Sequence, residues 1–412
     1  MSDLNFMEKL LEGVEIKWKK IDDIVEFRRG SFPQPYGNSK WYDGQGSMPF
    51  VQVADVSNNG FYLNKDTKQK ISKLAQPKSI FVEEGTVIVT LQGTIGRVAI
   101  TQYDCYVDRT LAIFTNYKEN INKKYFAYQL KSKFDLEKKY ARGSTLKTIT
   151  KEEFSKFEIP IPSLHVQSEI VRILDNFTEL TAELTAELTA RKKQYSYYRD
   201  KLLTFEDGEV EFKTLGEVGE LVRGNGLPKT DFTETGVPAI HYGQIYTYYG
   251  TSTIETKSFV SPETAKKLKK VNKGDVVITN TSENLEDVGK ALNYIGDIEA
   301  VTGGHATIFK PNNEILGKYF TYYTQTSMFF SQKVKYAKGT KVIDVSATDL
   351  GKFKIPIPPL KEQERIVNIL DKFDTLTNSI KEGLPKEIKL RQQQYEYYRD
   401  LLLTFPKPAE VL

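Results

Sequence analysis

The residues of this chain that could do covalent chemistry are few, and their spacing assembles no catalytic set. Methyl transfer to adenine needs an (Asp/Asn)-Pro-Pro-aromatic loop beside a glycine-rich cofactor loop. The only Pro-Pro pair, Pro358 and Pro359, instead follows Ile357 in IPIPP. No GxxxxGK(S/T) cradle for nucleotide phosphates occurs. Arg223-Gly224-Asn225-Gly226 is a lone glycine pair that reads as a turn. An acid-acid-lysine cluster, FDLEKK (134–139), is too degenerate a pattern to assign and lies in a stretch with helical spacing. Three histidines and a single cysteine, Cys105, are too scattered to make a zinc site and rule out an internal disulfide. No catalytic residue and no metal ligand is assigned.

The elements that would position any site come next. Hydrophobic residues make up 39% and charged residues 27% of the 412, a balance that builds ordinary globular cores. The net charge of +4 is only mildly basic, so any anion-binding surface has to come from where the charge sits. The first residues, MSDLNFMEKLLEGVEIKW, lack a signal-length apolar core, and no run approaches 18 apolar residues, so a soluble cytoplasmic protein is expected.

The strongest signal is that the chain is written twice. FEIPIPSLHVQSEIVRILDNF (157–177) matches FKIPIPPLKEQERIVNILDKF (353–373), and RKKQYSYYRDKLLTF (191–205) matches RQQQYEYYRDLLLTF (391–405). Fainter echoes join WKKIDDIVEFRRG (18–30) to FKTLGEVGELVRG (212–224), GTVIVT (85–90) to GDVVIT (274–279), YFAYQLKS (125–132) to YFTYYTQT (319–326), and ARGSTLKTITKEEFSKF (141–157) to AKGTKVIDVSATDLGKF (337–353). A period near 200 residues is that of a duplicated domain plus linker, not of a solenoid.

The well-preserved parts read as helices. IPIP and IPIPP hold the chain extended. Apolar residues then recur at helical spacing, from Ile170, Ile173, Leu174 and Phe177 to Leu202, and again from Ile366, Ile369, Leu370 and Phe373 to Leu402. A continuous helix over residues 164–205 would span roughly 60 Å, and the two apolar stripes predict that the helices pair. The first holds two full TAEL units, 181–184 and 185–188. The spacing from Phe177 to Tyr195 is 18 positions and that from Phe373 to Tyr395 is 22, one tetrad more. KEGLPKE (381–387) supplies the excess, and its Gly383 and Pro385 predict a break in the distal helix. The variable parts read as strand-rich mixed domains: TVIVT, VAI, DVVIT and ATIF are short β-branched runs between turns. Short helices are expected over residues 3–12, 124–138 and 318–334, and KKLKKVNK (266–273) reads as a solvated helix end.

On IPIPSLHVQSEIVRILDNF, IPIPPLKEQERIVNILDKFD and the two YYRDxLLTF ends, the sequence resembles the specificity subunits of type I restriction–modification enzymes over essentially its whole length. TLQGTIGRVAI (90–100) is similar to that family's first recognition domain. The resemblance implies an α+β fold. Two mixed, strand-rich target recognition domains (1–160 and 207–356) would be separated by two long antiparallel coiled-coil helices (161–206 and 357–412) in a pseudo-twofold internal repeat. It implies a non-catalytic subunit that recognises a bipartite DNA site and directs adenine methylation and restriction. Its partners would be double-stranded DNA, two methyltransferase subunits and motor–nuclease subunits, with no membrane. The chain itself would need no cofactor, because S-adenosylmethionine, ATP and Mg would sit on those partners. The family also varies the number of such tetrads. Two readings stay open beside it: a specificity subunit of a type IIB enzyme, and a coiled-coil scaffold that docks proteins.

A DNA reader needs cations for phosphates and forked donors or acceptors for base edges, on loops that can approach a groove. In the first domain the candidates are Arg28 and Arg29, then Gln92, Thr94 and Arg97 around GTIG, then Arg142, Ser144, Thr145 and Lys147 in RGSTLK. In the second they are Arg223, Asn225, His241, Tyr242, Gln244 and Lys290, with Lys338, Thr340 and Lys341 in KGTK. For His241 and His305 the residue types also suit a local hydrogen bond. TSENLEDVGKA (281–291) replaces the compact QGTIGRVA and departs from the family pattern. Tyr198, Arg199, Tyr398 and Arg399 on the helices are the candidate partner-binding residues, since aromatic and arginine side chains are typical interface anchors.

Overall fold

The computed structural model describes residues 10, 12–13, 15–58, 60–140, 154–206, 208–379 and 381–405. The chain divides into two compact units, one of Met1–Ala182 with Leu390–Leu412, the other Glu183–Lys389. Each unit therefore combines a strand-rich body with parts of both helical segments, whereas the sequence placed those segments in separate stretches.

Proline sets the entry to each helix. In the first unit Glu158–Ile161 pairs antiparallel with Lys17–Lys20, Trp18 opposite Pro160. In the second, Lys354–Ile357 pairs with Glu211–Thr214, Phe212 opposite Pro356. Each proline-containing strand thus has one short partner, as befits residues without an N–H to donate. The 40-residue helix Leu164–Leu203 begins directly after the first. Gln167 is buried at its start, accepting from Asn122 N at 2.9 Å and donating to Pro162 O at 2.8 Å. Gln363 does the same in the other unit, toward Leu316 N and Pro358 O.

The two bodies share a plan. In the first, Val25–Arg29, Leu111–Tyr117, Val87–Thr90 and Val98–Ile100 form an antiparallel sheet in that order. A second sheet joins Met48–Val51 in parallel with Cys105–Val107. In the second body Gly219–Arg223, Ala306–Pro311, Val276–Thr279 and Ala291–Tyr294 repeat the first sheet. Val237–Ile240 runs parallel with Ala300–Thr302, as in the second sheet. The strands VIVT (87–90) and VVIT (276–279) are buried on both faces, which is why they read as continuous β-branched runs.

A tyrosine-rich helix closes each core. Lys123–Tyr140 carries Tyr125, whose hydroxyl donates to Pro160 O at 2.9 Å, and Tyr128, which donates to Asp175 of the long helix at 2.9 Å. Lys124 pairs with the same Asp175 at 2.7 Å. In the second unit Tyr319 donates to Pro356 O, Tyr322 to Asp371, and Lys318 pairs with Asp371. There the expected single helix over 318–334 is two, Gly317–Tyr323 and Ser327–Tyr336, because Thr326 is extended and caps the second by accepting from Phe329 N. KKLKKVNK also differs from expectation. The helix Pro262–Lys267 stops, and Lys269–Val271 is a strand whose Lys270 pairs with Glu299 at 3.1 Å. The expected helix over 3–12 falls almost wholly outside the described residues.

The distal helix is broken where expected, with Leu360–Asn378 ending at an extended Ser379 and Gly383–Leu403 beginning at a glycine with φ +75°. A Cβ at Gly383 would lie 2.4 Å from Thr375 O, so both conformation and space require glycine there. Within the first unit Phe177 stacks on Tyr398 at 5.3 Å, and within the second Phe373 stacks on Tyr198 at 5.8 Å. Among the described residues no helix is long and apolar enough to cross a membrane, and no group of histidine, cysteine and carboxylate side chains could hold a metal ion.

Candidate functional site

Hydrogen bonds at the ends of the central strands bring the scattered candidates together within each body. In the first, Gly30 N donates to Leu111 O at 3.1 Å and Leu91 N to Thr110 O at 2.8 Å. This sets the Arg28–Arg29 strand end, the turn at 108–110 and the start of the GTIG loop side by side. Thr90 N donates to Arg97 O and Gly96 N to Thr90 O, both at 2.9 Å, closing that loop. A Cβ at Gly30 would meet Val107 O at 2.1 Å, so the close strand approach requires glycine. The second body repeats the frame. Gly224 N donates to Ala306 O, Asn280 N to His305 O, Thr279 N to Lys290 O and Gly289 N to Thr279 O, all between 2.8 and 2.9 Å. Arg29 thereby answers to Arg223, Thr110 to His305, and Arg97 to Lys290.

The first-body candidates have different fates. Arg28 and Arg29 are exposed, with no intramolecular partner among the described residues. Thr94 is exposed and Gln92 half-buried in the same loop. Arg97 differs from expectation: its Nη1 donates to Val56 O at 3.2 Å and Val53 O at 3.4 Å, holding a neighbouring turn, and its Nε is buried without a partner among the described residues. Arg142, Ser144, Thr145 and Lys147 lie outside the described residues. Arg109, which the sequence reading passed over, stands exposed in the turn at 108–110, 5.1 Å from the Tyr36 ring. The Tyr36 hydroxyl donates to Asp108, and burial with that carboxylate pushes its pKa well up.

In the second body the candidates converge around residues 303–305. Arg223 donates from Nε to Gly304 O at 3.3 Å and pairs with Asp344 at 3.6 Å. Asn225 bridges to Gly303 and donates to Lys267 O. The Tyr242 ring lies 4.5 Å from His241 and 4.9 Å from His305. His241 caps the short helix Tyr242–Thr247 by accepting from Gly243 N at 3.2 Å, so the local hydrogen bond suggested by its type is present. Burial lowers its pKa, with Lys229 and His305 adding to the effect. Gln244 is engaged with Ser258. Lys290 pairs with Asp287 at 2.6 Å above the Tyr246 ring, which the loop departing from the family pattern brings into reach.

The KGTK loop joins this cluster through Thr281–Ser282, which pairs with Ile343–Asp344, while Thr281 Oγ1 contacts His305 Nδ1 at 3.0 Å. Lys338 is held by Asp349 at 3.2 Å. Lys352, Ser346 and Lys338 together hold the Asp349 carboxyl down to about 2. Thr340 and Lys341 remain exposed.

On the helices the structure adds two further tyrosines to the candidates. Tyr198 stacks on Phe373 and Tyr398 on Phe177, Tyr198 keeping an exposed edge. Arg199 and Arg399 each pair with the next aspartate and lie over Tyr195 and Tyr395. Tyr197, 60% exposed, and Tyr397, 56% exposed, present more of their rings than Tyr198, which at 38% is still exposed. Helical phase held the signal, since a residue one position before a stacked tyrosine points about 100° away from it.

A family model described as the type I restriction modification DNA specificity domain matches residues 14–191 and again residues 207–390. The specificity subunit of a type I restriction enzyme from Escherichia coli is 37% identical over 432 aligned residues, covering 100% of both chains. Another from Escherichia coli is 31% identical over 405 residues and 93% of each chain. Among solved structures, the S subunit of a type I restriction–modification system from M. genitalium has this fold, with a TM-score of 0.54 at 18% identity over 96% of this chain and 98% of that one.

Proposed function

We propose, from the premise that this chain belongs to the family of type I restriction–modification specificity subunits, that it reads a split DNA site, one half with each recognition domain, and directs adenine methylation by partner subunits. The observation that carries the split site is the repeated frame. Each body sets an Arg-Gly strand end against the same turn, through Gly30 N to Leu111 O in one and Gly224 N to Ala306 O in the other. Exposed cations on such a frame neutralise phosphates, and hydrogen-bonding side chains between them read base edges.

The chain acts as a non-catalytic recognition subunit. Two methyltransferase subunits dock on the helices, which pair as an antiparallel coiled coil with pseudo-twofold symmetry. Motor–nuclease subunits complete the restricting assembly. S-adenosylmethionine, ATP and Mg belong to those partners. Selection from a random pool of double-stranded DNA by the complex of this chain with its methyltransferase tests the reading. It should enrich two short motifs at a fixed separation. Enrichment of a single contiguous motif, or of none, would exclude it.

A further inference from the structure

The two bodies keep their structural residues and differ at the strand-end positions. Tyr125 and Tyr319 both bond the proline strand, Asp175 and Asp371 both take a lysine and a tyrosine, and Gln167 and Gln363 both cap the helix entry. The Arg-Gly strand ends are kept too, as Arg29-Gly30 and Arg223-Gly224. Register identifies what is not kept. Val51 opposes Val107 in parallel as Ile240 opposes Thr302, so Gln52 answers to His241 and Val53 to Tyr242. Thr110 answers to His305 through the shared bond from Leu91 N and Asn280 N. A single backbone frame thus presents Gln, Val and Thr in one body and His, Tyr and His in the other.

We infer that the His241–Tyr242–His305 stack is the base-reading element of the second recognition domain, an inference that rests on the split-site reading above. Its chemistry is that of a donor platform. The Nδ1 of His241 accepts from Gly243 N, which places the ring hydrogen on Nε2. The Tyr242 hydroxyl has no intramolecular partner among the described residues, and His305 is exposed with only Nδ1 engaged. Arg223, paired with Asp344, and Lys290, paired with Asp287, flank the stack, so charged side chains lie at its edge and ring and hydroxyl hydrogen-bonding groups at its centre. Phosphate contacts at a rim and hydrogen-bonding side chains between them match the division between positioning and base readout. The ligand is the acceptor edge of a purine, N7 or O6, in double-stranded DNA.

The test uses the full chain with its methyltransferase partner and maps methylated sites for the wild type and for His241→Asn, Tyr242→Phe and His305→Ala. Asparagine is a good helix cap, so His241→Asn retains an acceptor for Gly243 N while losing the far donor. One or two positions of a single half-site should become degenerate, with the other half-site and the gap unchanged. Affinity for the wild-type site should fall about fivefold to 150-fold, with the salt slope retained. An intact motif in all three variants would overturn the inference. So would degeneracy in both half-sites, loss of all methylation at an unchanged melting temperature, or a lowered melting temperature in all three, which would make the stack structural. If the wild type selected no split motif, the failure would be that of the wider reading.

Discussion

Lys333 is 4% exposed, and its Nζ donates to Glu286 O at 3.1 Å, tying the helix Ser327–Tyr336 to the loop that precedes Lys290. Burial pushes its pKa from 10.5 down to about 8. Between those values the unfolded chain binds a proton that the folded chain lacks, so this group's contribution to stability rises with pH through about 8 to 10.5 and is flat below. Thermal melts of the wild type should therefore gain up to about 3 kcal/mol over Lys333→Met across that window. Parallel pH profiles would show that burial does not penalise the charge. A second residue-scale prediction concerns the exposed tyrosines. Truncating Tyr197 and Tyr397 to alanine should weaken capture of a methyltransferase subunit by at least 2 kcal/mol if they are interface anchors, about thirtyfold. Reversing Arg199 and Arg399 should do less, since both are already paired within the helix. Equal retention of partner by the tyrosine variant in a pull-down would remove them from the interface.

The spacer helix sets distance at the scale of elements. The boundary between compact units, after Ala182, falls inside the first TAEL unit, so an added tetrad lengthens the helix where it passes from one unit to the next. Four helical residues add about 6 Å of rise and about 40° of net rotation. The rotation is close to the roughly 34–36° per base pair of duplex DNA. Inserting one TAEL after Leu188 should lengthen the unspecified gap by about one base pair and leave both half-sites unchanged. Methylome sequencing reads this directly. An altered half-site, or an unaltered gap with activity kept, would defeat the ruler. The break at residues 379–382 belongs to the same scale. It was legible because Gly383 and Pro385 disfavour helix locally, and the observed φ of +75° at Gly383 is one that glycine adopts without strain. The division of residues 318–334 into two helices was not legible, because the apolar spacing runs through the break that Thr326 caps.

For the whole molecule, the split-site reading we propose predicts how the two half-sites are modified. Both half-sites should then be methylated, on opposite strands. Strand-resolved mapping of modified adenines in cells carrying this chain and its methyltransferase checks this, and two modified adenines on one strand would exclude the arrangement. The sequence by itself determined the duplication, the proline-started helices, the β-branched core strands and the absence of a methyltransferase or P-loop motif. All of these are written in local spacing or in the match of one stretch to another. Only the tertiary structure decided which tyrosine of each YYRD motif is the more exposed, that Arg97 turns to Val53 O and Val56 O, and that His241, Tyr242 and His305 meet. The physical reason is register. His241 and His305 are 64 positions apart, and the parallel pairing of Ile240 with Thr302 sets them together. A one-residue slip of that pairing would turn alternate side chains to the other face, and no local periodicity records it.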